Sequence, residues 1–270
     1  MSGSDAVWTP ETVRRFWAYS RRSDAFVDDC FSRALGGPIV HLLERGGVLF
    51  PGARVVDFGC GPGFLLEFMS GRGARLSGFD PSSDAEAAAQ ARLEPNSDWQ
   101  GCLDHDRLAS GGYDGTFDLV TCVEVVEHVF DDDLHDVLST IRRLLKPGGA
   151  LFVSTPHDEN LAANHVYCPF CDTSFHRVQH MRRFTVDDLG TLLRTTGLEV
   201  EICTATNFNW FGLQAPASLL DWSARTVGVR VADAYRSLVD RLRPARIDRS
   251  ARYRRFFGAG PHLIGVARLP

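Results

Sequence analysis

Two groups of residues have the types and the spacing to do chemistry. The first is a glycine loop, Asp57-Phe58-Gly59-Cys60-Gly61-Pro62-Gly63, which follows an apolar stretch and runs into the helix-like residues 64–70. Glycine is needed where a backbone must turn sharply and come within contact distance of a ligand. The next apolar run ends on Asp80, where a carboxylate can accept hydrogen bonds from both hydroxyls of a ribose. A dinucleotide fingerprint carries its third glycine one residue later, so the spacing disfavours a dinucleotide. The second group is Cys168-Pro169-Phe170-Cys171 followed by His176 and His180. This C-x2-C-x4-H-x3-H set offers four soft-to-borderline ligands suited to tetrahedral Zn2+ in a closed, structural site. The competing reading is that the histidines line a pocket and the cysteines are incidental.

These residues need a frame, and the chain has the rhythm of one. Short apolar runs at 53–58, 75–79, 117–122 and 150–154 are each followed by a helix-like segment, the pattern of βαβ units and a parallel sheet. A weaker strand at 98–103 fills the third place. Lys146-Pro147-Gly148-Gly149 reads as a helix stop and turn. A helix over 185–196, capped by Thr185 with Asp187 and Asp188 in its first turn, stops at Gly197 before a strand at 198–204. Ahead of the sheet lie two helices, one entered through Thr9 and Pro10, the other running from about Asp24 to Gly46. Residues 156–183, rich in His, Cys and aromatics with no clean period, read as a functional loop at the end of the fifth strand.

Length and charge bound the reading. A chain of 270 residues, 44% hydrophobic and 23% charged, can bury one large α/β core and still carry a cap. The net charge of -5 argues against holding long nucleic acid by phosphate neutralisation alone. The first residues lack an apolar core of signal-peptide length, and nothing approaches the roughly 20 apolar residues of a membrane span, so the expected compartment is the cytoplasm. Of the seven cysteines, all but Cys168 and Cys171 are scattered, mostly within apolar sequence.

The strings DFGCGPG, GFDPS, FDLVTCVEVVEHV and RRLLKPGGALFVSTP resemble the successive motifs of class I S-adenosylmethionine (SAM)-dependent methyltransferases. The resemblance covers residues 53–156, and more weakly on to 204. It implies a Rossmann-like, mostly parallel seven-stranded α/β sheet with helices on both faces, whose final strand, 262–268, inserts antiparallel beside 198–204. A single domain results: an N-terminal helical cap (1–50), a SAM-binding core (51–207) containing the candidate zinc loop (156–183), a helical, basic insertion (208–259) and the last strand (260–270). The resemblance also implies that Asp57 and the backbone of Gly59, Cys60, Gly61 and Gly63 hold the amino-acid part of SAM. Asp80, with Pro81 beside it, takes the ribose, and Cys122 lines the site. For the adenine contact Cys102, Leu103 and Asp104 compete, with Leu103 preferred.

In that fold Glu124, Glu127 and His128 face the methyl group. Transfer from SAM is an in-line displacement, so the protein must mainly align the acceptor and remove its proton. His128 is the expected general base, with Glu124 beside it, because an unperturbed imidazole titrates near working pH. The alternative is that Glu127 and His128 cap the following helix. The same EVVEHV resembles both ubiquinone-pathway O-methyltransferases and RNA 3′-terminal 2′-O-methyltransferases. In the latter, residues matching Glu124, Glu127 and His128 hold a divalent metal together with a histidine from the following insertion, here His176 or His180. Residues 223–257 carry ten arginines against three aspartates, ending Arg252-Tyr253-Arg254-Arg255. Such an arm suits a phosphorylated, nucleotide-linked or lipid-linked acceptor, or is a solvated helix face. The expected activity is methyl transfer to a small or medium-sized acceptor at oxygen. The rivals are the RNA-end enzyme and a SAM-binding or partner-binding protein without catalysis.

Overall fold

The structure, a computed structural model, describes residues 4–20, 22–23, 27, 30–208 and 260–270. In chain order come β1 (Ser4–Asp5), α1 (Pro10–Ser20), α2 (Phe31–Gly46), β2 (Arg54–Phe58), α3 (Phe64–Met69), β3 (Arg75–Phe79), α4 (Ser83–Leu93), β4 (Trp99–Cys102) and α5 (His105–Ala109). Then follow β5 (Phe117–Val123), α6 (Asp131–Leu144), β6 (Leu145–Pro156), β7 (His165–Cys168), β8 (Thr173–His176), α7 (Val186–Thr195), β9 (Glu199–Thr206) and β10 (His262–Arg268). Seven strands form one sheet in the order β4-β3-β2-β5-β6-β10-β9, and β10 runs antiparallel to both its neighbours. β1 pairs in parallel with β8 and extends the β7–β8 hairpin into a small second sheet.

Strand alternation explains why both faces of the large sheet are covered. Val55, Leu76 and Leu119 face one side, packed with Ile39, Leu42 and Leu43 of α2 and Leu65 of α3. Val56, Val120 and Leu151 face the other, against Leu138 and Ile141 of α6 and Leu189 and Leu193 of α7. β10 enters beside β9 at the pair His262↔Thr206, and a Cβ on Gly260 would lie 2.1 Å from Thr206 O. The two ends of the 208–259 insertion therefore meet at one point of the sheet.

Sequence and structure part in two places. Lys146-Pro147-Gly148-Gly149, expected as a turn, lies within β6 as a bulge between the pairs Phe117↔Leu145 and Leu119↔Ala150. The reason is distant in sequence: Gly148 N donates to Leu269 O at 2.8 Å and Leu269 N to Gly149 O at 3.0 Å. The helix expected from Asp24 is interrupted at Cys30, whose ψ of 124° is extended: Val27 before it is helical, and α2 begins at Phe31; Asp24 itself lies outside the described residues. So do the helices and basic arm expected within 209–259, with Arg252, Arg254 and Arg255. Among the described residues no helix is long and apolar enough to cross a membrane.

α7 begins with a full capping box, Thr185 Oγ1 accepting from Asp188 N at 3.2 Å and Asp188 Oδ2 accepting from Thr185 N at 2.9 Å. Thr185→Ala should lower stability by about 1 kcal/mol in chemical denaturation. An unchanged midpoint would mean that the box contributes nothing.

Candidate active site

The site has a cradle and an opposite wall, and the glycine loop builds the first. Gly59, Gly61 and Gly63 all have positive φ, at 83°, 49° and 80°. A Cβ on Gly59 would lie 2.4 Å from Val125 Cγ2, and one on Gly63 would lie 3.1–3.2 Å from Ala89 of α4, whereas one on Gly61 would meet nothing within 4 Å. Gly59 and Gly63 are thus required by close packing, and Gly61 faces open space where a ligand can approach. Asp80, at the end of β3, accepts from Gly61 N and Ser82 N, both at 3.0 Å, which ties the carboxylate to the loop. Pro81 follows it on the surface.

Asp57 is buried in the floor, where its Oδ1 accepts from Thr121 Oγ1 at 2.7 Å. Burial pushes its pKa up to about 7, the Thr121 bond opposes the rise and the Asp80 charge adds to it. Leu103 is 5% exposed and donates its N–H to Gly78 O at 2.8 Å. Asp104 is taken up in capping α5, accepting from Arg107 N at 2.8 Å. The Cys60 thiol turns toward Cys102, leaving its backbone for the loop. The Cys122 side chain is fully buried in the α6–α7 layer, and its neighbour Thr121 is the residue whose side chain reaches Asp57.

The opposite wall starts where β5 ends. Val125, packed on Gly59, joins it directly to the cradle. Glu124 takes φ 54°, unusual for a side chain with a Cβ. It is held there by Glu124 N donating to Ser154 O at 3.0 Å and Ser154 Oγ donating to Glu124 Oε1 at 2.8 Å. Glu127, 1% exposed, accepts from Thr155 Oγ1 through Oε2 at 2.9 Å, while its Oε1 is buried with no hydrogen-bond partner. The end of the insertion is clamped along this strip. Gln179 Nε2 donates to His128 O at 3.1 Å, Met181 N to Glu127 O at 3.0 Å and Arg182 Nη1 to Val126 O at 2.7 Å. From α1, Trp17 Nε1 donates to Gln179 Oε1 at 2.8 Å and the Trp17 ring stands edge-on to His128 at 5.0 Å.

The clamp brings His180 to the strip. His128 Nε2 lies 3.9 Å and His180 Nε2 4.0 Å from the unpartnered Glu127 Oε1, and the three residues offer ligand atoms all within 4.8 Å of one another. Each ring has its other nitrogen engaged: His128 Nδ1 meets Gln179 O at 3.2 Å and His180 Nδ1 meets Glu159 Oε2 at 2.5 Å. With those Nδ1 atoms donating, both Nε2 lone pairs are free to face Glu127. His176 is one layer back. Its Nδ1 accepts from His180 N at 3.0 Å, so its Nε2 carries the proton toward Glu159 Oε1 at 3.3 Å. Glu159, His176 and His180 form a second compact group, but Glu159 already has partners on both oxygens.

Burial governs the charges here. It pushes Glu124 up to about 8, with Glu159 adding, and Glu127 well above the carboxylate range, with the Glu124 charge adding. It also pulls His128 down to about 3, followed by the effect of His180. Burial and the neighbouring His180 thus favour the neutral imidazole of His128, whose Nε2 has no hydrogen-bond partner among the described residues. The donor set of one carboxylate and two imidazoles, around an oxygen with no partner, fits a divalent ion of borderline hardness.

The cysteines do not join this cluster, and the closed four-ligand set expected from spacing does not form. Cys168 pairs with Thr173 at the tip of the β7–β8 hairpin, while His176 pairs with His165 three residues away, about 10 Å along the strands and on the opposite face. Cys168 and Cys171 are free thiols at the turn, where Cys168 is hydrogen-bonded by Cys171, and Cys171 Sγ lies 2.9 Å from Thr173 Oγ1. Thr121, Glu159, Gln179 and Trp17 were not foreseen. Each acts through a contact distant in sequence, and no local pattern marks it.

A family model described as a methyltransferase domain matches residues 31–201. The ubiquinone biosynthesis O-methyltransferase of Sodalis glossinidius (strain morsitans) is 39% identical over 118 residues, covering 43% of this chain and 45% of that protein. The enzyme of the same name from Escherichia coli O127:H6 is 36% identical over 116 residues, covering 43% of this chain and 47% of that protein. The chain thus spans about half the length of the curated relatives it matches. Among solved structures, the complex between the Haloferax volcanii Trm112 methyltransferase activator and a methyltransferase aligns with a TM-score of 0.59 at 22% identity, over 98% of this chain and 100% of that one. The Burkholderia thailandensis 1,6-didemethyltoxoflavin-N1-methyltransferase, with S-adenosylhomocysteine bound, aligns with a TM-score of 0.56 at 15% identity, over 98% of this chain and 92% of that one. Both structural likenesses concern the fold.

The raised Asp57 pKa has a measurable consequence. A carboxyl whose folded pKa lies above its ordinary 3.8 adds stability that is fully present below that value and is lost as pH rises through about 7. The stability of the ligand-free protein relative to its Asp57→Asn variant should therefore fall between about pH 4 and pH 8 in denaturation experiments. Parallel pH profiles would contradict the buried, raised carboxyl.

Proposed function

The chain belongs to the methyltransferase domain family, of the class I SAM-dependent kind, and on that basis we propose that it transfers the methyl group of SAM to an oxygen of a small or medium-sized acceptor, beside a divalent metal ion held by Glu127, His128 and His180. The observation that carries the metal reading is the buried, unpartnered Glu127 Oε1 between two imidazole nitrogens. An isolated buried carboxylate oxygen is unfavourable, and a cation compensates it.

In this reading Gly61 and Asp80 seat the nucleoside, and Asp57 sits under the amino-acid end of SAM. Val125 fixes the distance between cradle and wall. Glu127, His128 and His180 would hold the ion, and with three protein ligands it would supply Lewis acidity toward an acceptor oxygen. Gln179 O and Glu159 hold His128 and His180 in the tautomer a ligand needs. Glu124, drawn up to about 8, is the group that can take the acceptor proton. Trp17 screens His128 from water.

Transfer to oxygen is supported by the names of the curated relatives, and a small acceptor by the net charge of -5. The acceptor's phosphate or lipid linkage rests on the arginine-rich residues 223–257 alone. One observation favours a second reading, methylation of an RNA 3′ end: Glu127, His128 and His180 converge while the cysteines stand apart. Methyl transfer to a short RNA but to no phenol or catechol would put that reading first.

Asp80→Ala should weaken SAM binding by about 2–3 kcal/mol in calorimetry, the scale of hydrogen bonds to a charged group; unchanged affinity would remove Asp80 from the ribose site. The purified protein should carry about one divalent ion. Glu127→Gln should release it, with at least a tenfold loss of metal affinity, while Cys168→Ser with Cys171→Ser should retain it. Metal kept by the glutamate variant and lost by the cysteine variant would overturn this assignment.

A further inference from the structure

A second cavity, of about 330 Å³, opens at the other end of the strands. Arg54, Arg75 and Phe117, which line it, are the first residues of β2, β3 and β5, whereas the glycine loop and Asp80 follow the last residues of β2 and β3; on the β4 side the lining extends to Cys102 and Leu103 at the end of that strand. From Arg54 to the loop is about 16 Å along the strand.

Its lining is unusual in charge. Arg54, Arg75 and Arg107 all border the cavity, and no aspartate or glutamate does. Arg54 and Arg75 are register partners on adjacent parallel strands, so their side chains leave the same face with backbones about 4.8 Å apart. Like charges placed opposite one another destabilise a sheet. Among the described residues neither guanidinium has an ion pair or hydrogen bond; Asp118, which accepts from Arg54 N at 2.8 Å and interacts with the Arg54 charge at longer range, is engaged directly by Lys146 Nζ at 2.9 Å. Arg54 lies over the Phe117 ring at 5.9 Å, and Arg107 lies over the Tyr113 ring at 4.5 Å with its Nε donating to Gly112 O at 3.2 Å, which limits where both forks can point and leaves the Arg107 Nη atoms for a ligand.

A neutral group completes the set. Ser77, 9% exposed, lines the cavity, and its hydroxyl has no hydrogen-bond partner among the described residues. The β3–β4 register slips between Leu76 and Gly78, opposite a Gly101 with φ 96°, so the sheet edge is open beside Ser77. Three arginine forks match the geometry and charge of a phosphate better than those of a carboxylate or a halide, and the cavity has the size of a small-ligand site.

We propose that this cavity binds a phosphate-bearing small molecule, with Arg54, Arg75 and Arg107 around the phosphate and Ser77 donating to it. The ligand relieves the Arg54–Arg75 repulsion, so an empty site leaves the protein less stable than a filled one. The test is calorimetry and thermal unfolding of the full chain with inorganic phosphate and with AMP, at constant ionic strength against chloride. Saturable one-to-one binding is expected, with a raised melting temperature and no competition from SAM. The double substitution Arg54→Gln, Arg75→Gln should weaken binding at least tenfold, raise the melting temperature of the phosphate-free protein and leave SAM affinity unchanged. Ser77→Ala, a smaller change, should also weaken phosphate binding if the double variant does not fold. Absence of saturable binding by both probes, equal binding by the variants, or displacement by SAM would overturn the proposal, as would binding of a short oligonucleotide alone.

Discussion

Among the described residues Glu127 Oε1 is the one carboxylate oxygen sealed from water with no hydrogen-bond partner, and much of the architecture around it serves to keep it in that condition. Thr155 satisfies the other oxygen, the insertion is tied back along residues 126–128, and Trp17 closes the side. Without those contacts the carboxylate would turn to solvent, since burying an unpaired polar atom costs on the order of 1–3 kcal/mol. The parallel sheet supplies the rest, because the glycine loop and the Glu124–His128 strip both leave the same edge of neighbouring strands, β2 and β5. Val125 against Gly59 then locks the two together.

Much of this was legible because it is local. β3 and β10 were read to the residue, since an apolar run bounded by charge or glycine has little else it can become. The glycines of the loop and the Thr185 cap also announce themselves by type and spacing. The bulge at Gly148 does not, because its cause is Leu269, more than a hundred residues away. The metal reading failed on the same ground. Spacing put two cysteines and two histidines in one string, but a hairpin sends Cys168 to its tip and His176 to its base. For His128 the sequence offered only an unperturbed imidazole pKa, which says nothing about a ring buried against Trp17 and His180.

The insertion after β6 has a division of labour. Its far end is the cysteine turn, with Phe170 97% exposed between the two thiols. Its near end is the stacked pair His176 and His180, rings 4.6 Å apart, with Glu159 bridging both. One end faces solvent while the other builds the site wall, so substitutions at the two ends will have separable effects.

The strand order has an evolutionary corollary. Because β10 returns beside β9 at Thr206 and His262, the 208–259 segment leaves and re-enters the sheet at adjacent points. A segment whose ends meet in this way can change length with little penalty, since doubling a closed length of chain costs only roughly 0.6 kcal/mol of closure entropy. Selection can therefore exchange this segment wholesale, by deletion, duplication or grafting, while the cradle and the Glu127 pocket stay in register. Chains of this architecture can diverge in what they accept much faster than in how they hold the donor.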